Sequence, residues 1–140
     1  MTVPAQRPPR ANPELLPVLA TVTYLATLIA AWGILSLALD RDVVDYADAG
    51  PLLGPPMALG ACVVTWAFSR AALRGRAPAL AIAAVVVSWL VVIAIGAIGY
   101  TAPTILATAV HFAISPFVLA AALLSGLTVL ATRGLAPRRR

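Results

Sequence analysis

Lysine is absent from this chain, and charge of either sign is scarce. Ten arginines, five acidic residues and one histidine are spread over 140 residues. Charged residues make up 11% of the chain, against about 25% in a soluble globular domain. A soluble fold of this size would have too little charge to cover its surface. One cysteine, Cys62, excludes an internal disulfide and any paired-cysteine redox motif. Cys62 and the single histidine, His111, are too few for an all-protein zinc site of the usual kind. A bis-histidine haem held within one chain is excluded for the same reason. There is no glycine-rich phosphate loop after a strand, no metal-ligand spacing, no catalytic carboxylate pair and no nucleophile beside a base. The sequence therefore calls for no cofactor and no enzyme chemistry. The net charge of +5 would suggest nucleic acid in a soluble protein. Here the arginines stand beside apolar segments, so the expected partner is the anionic head groups of a bilayer, and not nucleic acid.

The chain is rich in apolar residues, which make up 61% of it. A hydrocarbon core about 30 Å thick takes about 20 of them as a helix. Leu15–Leu39 offers 25 residues without a charge, Leu52–Ser69 offers 18, and Ala77–Thr132 offers 56 with His111 counted as neutral. The last run is too long for one span. It divides at "GYTAPT", where Gly99, Tyr100 and Pro103 make a turn. Backbone groups in lipid must be hydrogen-bonded within the segment, and no alternating polarity is visible, so the spans are helices and not strands.

The reading is an all-α integral membrane protein, an antiparallel four-helix transmembrane bundle. Its spans cover 15–39, 52–72, 78–99 and 103–132. Residues 1–14 read as a disordered, proline-rich lead, 40–51 as an acidic outer loop and 133–140 as a basic tail. Pro78 and Pro103 fall where helices tolerate proline, in the first turn, and Pro55 and Pro56 mark the start of the second span. The fourth span is longer than a bilayer requires, and it should tilt or project past the head groups.

Arginine sets the orientation. Arg7, Arg10, Arg70, Arg74, Arg76, Arg133, Arg138, Arg139 and Arg140 fall on one side of this layout, and Arg41 alone falls on the other. The positive-inside rule then makes this a multi-pass cell-membrane protein with both termini cytoplasmic. "ADAG" at 47–50 mimics a signal-peptidase site and "LGAC" at 59–62 a lipobox. The apolar run before the first is too long for a signal, and the second lies inside a later span, so neither reads as processed.

Three groups of residues are candidates for a function. Asp40, Asp42, Asp45 and Asp48 crowd the outer loop "LDRDVVDYADAGPLLGPPM". A calcium loop needs a turn glycine and a terminal glutamate at set offsets, and both are missing. The cluster reads as a solvated acidic loop, with weak divalent-cation binding and partner docking as the alternatives. Glu14 stands before the first span. Its position suits a helix-start carboxylate favoured by the dipole better than the intramembrane carboxylate of a drug–proton exchanger. His111 is the one side chain inside a span that titrates near neutral pH. Pro116, five residues on in "HFAISP", should kink the helix and free the Phe112 carbonyl, with Ser115 at hand to bond it. His111 reads first as a neutral histidine bonded across the bundle, and second as part of a relay, a ligand site or a single-ligand haem. A transport path would need Thr65, Ser88, Thr108, His111 and Ser115 to converge. Small residues that permit close helix approach recur at Ala26, Ala30 and Gly33, at Ala81, Ala84 and Ser88, and at Ala122 and Gly126.

The four alanine-rich spans, the loop over residues 39–57 and the arginine tail together resemble a family of small four-span actinobacterial membrane proteins of unknown function. That resemblance implies a membrane bundle and carries over no activity. The function expected is that of a non-enzymatic accessory or scaffold protein of the cell envelope, engaging a membrane partner or its own copies. The alternative is a small oligomeric transporter or channel-like protein with His111 lining the path.

Overall fold

The computed structural model describes residues 14–43, 50–100 and 104–136. The expectations about the lead, Asp45, Asp48, Pro103 and the last four residues of the tail lie outside these. The described residues hold five α-helices and no strand: α1 (Leu15–Leu39), α2 (Gly50–Ala72), α3 (Ala77–Gly99), α4 (Ile105–Ala113) and α5 (Pro116–Leu135). Four of these, α1, α2, α3 and α5, are long and apolar enough to cross a membrane.

Two elements depart from the sequence reading. α2 begins at Gly50, so Pro55 and Pro56 lie inside it instead of opening it. Each proline deletes one helix hydrogen bond, but both deletions fall close to the helix start. The fourth span is not one long helix. It breaks at Ile114–Ser115 into α4 and α5, so the kink expected at Pro116 is a complete interruption.

α1 stops at Asp40, which takes a left-handed conformation with φ 49°. Aspartate is among the few residues other than glycine that enter this region readily. The Asp40 N–H bonds the Ser36 carbonyl, the Arg41 N–H bonds it at 3.2 Å, and the Ser36 hydroxyl donates to the Arg41 carbonyl at 2.7 Å. These three bonds close the last turn of α1 around Ser36 and tie Arg41 to it.

The spans are arranged in the cyclic order α1, α2, α3, α5. The pair α2 and α5 touches across the short diagonal, whereas the backbones of α1 and α3 stay apart. α4 packs chiefly on α3. Lipid tails are as apolar as leucine, so the helices gain by close van der Waals fit and hydrogen bonds, not by escape from water. α3 buries Ala77, Ala81, Ala84 and Ser88 along one stripe, and α5 buries Ala121, Ala122, Ser125 and Gly126. At Gly126 a Cβ would collide with Val85 Cγ2 and stand 3.1 Å from the Ala81 carbonyl oxygen. Only glycine permits that approach.

Hydroxyls join the diagonal pair. Thr65 Oγ1 on α2 lies 2.8 Å from both the Ala61 carbonyl and Ser125 Oγ on α5. A carbonyl only accepts, so the Thr65 proton goes to Ala61 and the Ser125 hydroxyl donates to Thr65 Oγ1. Two turns on, Thr132 bonds the Thr128 carbonyl at 2.7 Å and reaches Ser69 Oγ at 3.4 Å.

Glu14, the N-cap of α1, pairs with Arg70 at the end of α2, Nη2 to Oε1 2.7 Å. The Arg70 guanidinium also sits 5.5 Å from the centre of the Trp66 ring. Both partners of the ion pair are about two-fifths exposed, so the pair contributes about 1 kcal/mol at most. Arg133 Nη1 donates to the Leu73 carbonyl at 3.1 Å. Glu14, Arg70 and Arg133 therefore meet at one end of the bundle, the arginine end, while Asp40–Val43 lie at the far end.

Candidate functional site

The far end is shaped by what Pro116 removes. Proline has no N–H for the Phe112 carbonyl, and the residue before it is pushed out of the helical region. Ser115 accordingly adopts φ −64°, ψ 129°, and Pro116 starts α5 in the first position, where its missing N–H costs nothing. The Ser115 backbone N–H takes the Phe112 carbonyl at 3.1 Å. It is the main chain of Ser115 that makes this bond.

The interruption leaves the Ala113 carbonyl without a helical donor. Trp89 of α3 fills the gap, with Nε1 at 3.1 Å. One turn further, Trp32 Nε1 of α1 donates to the Phe117 carbonyl at 2.9 Å, and one turn beyond that the Tyr24 hydroxyl donates to the Ala121 carbonyl at 3.0 Å. Three aromatic donors from two helices thus capture carbonyls 113, 117 and 121, spaced four apart along one side of the broken span. Tyr24, Leu28 and Trp32 form the buried stripe of α1. Each aromatic carries its polar atom to a carbonyl that lipid could not solvate.

Above this ladder lies a cavity of about 230 Å³. It is lined by Arg41, Asp42 and Val43 from the turn after α1 and by His111, Phe112, Ile114, Ser115, Pro116 and Phe117 from the break. His111 is half-buried at its edge, its ring T-shaped against Phe112 with centroids 5.9 Å apart. Phe112 and Phe117 are buried in the core below.

The sequence candidates therefore separate. His111, Ser115 and Asp42 come together at the cavity, joined by Arg41. Asp40 does not line it and serves as the left-handed end of α1. Thr65 and Ser88 are fully buried in the bundle, and Thr108 bonds the Thr104 carbonyl of its own helix at 3.3 Å. These hydroxyls do not converge with His111. Ser88 Oγ, fully buried, has no hydrogen-bond partner among the described residues. No group of three metal-ligating side chains occurs among the described residues.

Several important residues escaped the sequence reading. Tyr24, Trp32 and Trp89 are single aromatics within apolar runs, and nothing in their spacing names the carbonyls they meet. Ser125 and Thr132, seven apart on one face of α5, were the available signal for the hydroxyl seam with Thr65 and Ser69. Arg41 stands out in the sequence only as the lone arginine of the outer side, and its place in the same cavity wall as His111 is a tertiary fact.

No curated protein and no solved structure matches the chain. A family model does match, over residues 9–139, which includes every helix and the cavity; the chain belongs to that family, described as a family of unknown function (DUF6121).

Proposed function

We propose that this chain is a multi-pass protein of a bacterial cell membrane, actinobacterial in type, and that it acts without catalysis as an accessory or scaffold protein of the cell envelope. Both termini face the cytoplasm, with the arginine end against the anionic inner leaflet, where each basic residue adds about 1 kcal/mol of attraction. The observation that carries the scaffold reading is the outward side of α1. This helix is the least buried of the four long ones. Ala26, Ala30 and Gly33 lie on its exposed surface, and a Cβ at Gly33 would meet nothing within 4 Å. A second membrane helix laid there would reach the backbone closely, as small residues allow. The interior supports the same reading, because its hydroxyls and indoles are spent on tying helices together.

Co-purification in mild detergent, followed by mass spectrometry, tests the reading. A stoichiometric membrane partner, or a second copy of the chain, should be retained by the native protein and lost in Gly33→Leu, whose fold stays intact. Equal retention by both would contradict it.

A second reading is favoured by the cavity. Broken helices in transporters place their half-helix ends at the substrate, and His111 stands at such a break. Under this reading the chain is a small oligomeric transporter or channel-like protein. His111→Leu would then abolish a proton-coupled flux in proteoliposomes while leaving the unfolding midpoint unchanged. Unaltered flux would dismiss it.

A further inference from the structure

We propose that the cavity at the break of the fourth span is a binding site for a small zwitterion that carries a primary ammonium and an acidic oxyanion. Such a site is independent of the scaffold role. Two cavities of nearly equal size flank this part of the molecule. One, about 240 Å³ between α3 and α5, is lined by Val85, Val86, Trp89, Leu119, Ala122 and Leu123 and presents no polar surface. It offers any lipid tail the same contact. Among its described lining residues the other, about 230 Å³, has one cation, Arg41, and one anion, Asp42, with His111 and Ser115 between apolar neighbours. Its charge complement is a molecule with one charge of each sign. Its volume is below the roughly 300–1,000 Å³ of sites for drug-sized ligands, which restricts the ligand to something of head-group or amino-acid size.

The parts have defined tasks. Arg41 presents a planar fork of N–H donors suited to a carboxylate or phosphate. The first turn of α5 opens at Ser115–Phe117 in the same wall. Its cap makes no side-chain hydrogen bond, so its positive end adds to the oxyanion side. Asp42 accepts from the ammonium, a charge-assisted contact that requires N–H donors on the ligand. A quaternary ammonium would need aromatic faces instead. Phe112 and Phe117 do not provide them, being 2% and 4% exposed with their rings packed into the core. His111 completes the wall as a further hydrogen-bonding group.

A phospholipid head group and a free amino acid share this chemistry. The experiment uses the full chain in nanodiscs and reads its thermal unfolding midpoint. One arm replaces phosphatidylcholine stepwise with phosphatidylethanolamine. The other titrates leucine into phosphatidylcholine discs. A saturable rise in midpoint in either arm is expected, and the arm that responds identifies the source. Asp42→Asn, Arg41→Gln and His111→Gln should each raise the half-saturating concentration at least ten-fold, with ligand-free midpoints like the wild type. Asp40→Asn, two residues from Asp42 but outside the cavity wall, should leave binding unchanged. Absence of a saturable rise in both arms would overturn the proposal. So would native-like binding by Asp42→Asn, or an equal loss in Asp40→Asn.

Discussion

Replacing Trp89 by phenylalanine should reveal whether the indole compensates for the break in the fourth span. Among the described residues, Trp89 Nε1 is the donor to the Ala113 carbonyl, and α5 begins too late to supply a backbone N–H. Trp89→Phe leaves that half-buried carbonyl unpaired, a loss of about 1 kcal/mol, together with some packing. The two parts separate in a second background. Pro116→Ala restores an N–H for Phe112 and lets the helix run on, so that residue 117 can serve Ala113. The packing loss is common to both backgrounds and cancels in the cycle. Trp89→Phe should therefore cost about 1 kcal/mol less when combined with Pro116→Ala. Reversible unfolding in mixed micelles, followed by circular dichroism, gives the four free energies. Equal costs in the two backgrounds, within about 0.3 kcal/mol, would refute the claim that Trp89 answers the break.

The remaining predictions concern the seams and the loop. Gly126→Leu should destabilise the bundle by about 1–3 kcal/mol through overpacking against Val85 and Ala81, whereas Gly33→Ala, with open space around it, should be neutral or slightly stabilising in the same assay. Thr65→Val removes the link to Ser125 and should cost about 0.6 kcal/mol, the membrane average; a cost near zero would mean that Ser125 finds an equal partner within α5. Asp45→Asn should change stability by under about 0.5 kcal/mol, and calcium-dependent stabilisation that disappears in this variant would replace the solvated-loop reading with a cation site.

The elements legible in the sequence were those dictated by the bilayer. Leu15–Leu39 is helical over the length its charge-free run specified, and its Thr21 and Thr27 hydroxyls bond carbonyls of the same helix, at Pro17 and Thr23. Pro78 stands in the first turn of α3 as its fixed φ requires. Pro116 was legible as a disturbance but not as a full break. The carbonyl it frees, Ala113, is met by Trp89, and α5 is further held by Trp32 and Tyr24; these three reach the span from 24, 85 and 97 residues away in sequence. The small residues illustrate the same limit. Ala81, Ala84, Ser88, Ala122 and Gly126 are buried in seams, yet Ala26, Ala30 and Gly33 on α1 are exposed, and alanine content alone does not separate the two groups. The cavity was half legible. His111 and Asp42 were singled out for their chemistry, but their meeting depends on the left-handed turn at Asp40, which sends Arg41–Val43 back over the break.

Orientation is the claim on which the envelope role, the lipid contacts of the arginines and the external position of the cavity all depend. Cysteine accessibility measures it most directly. In a Cys62→Ala background, Asp42→Cys and Gly75→Cys place single thiols on exposed positions at opposite ends of the bundle. The account predicts that an impermeant maleimide labels Asp42→Cys in intact cells and reaches Gly75→Cys only after the membrane is opened. Labelling of Gly75→Cys in intact cells, with Asp42→Cys protected, would contradict it.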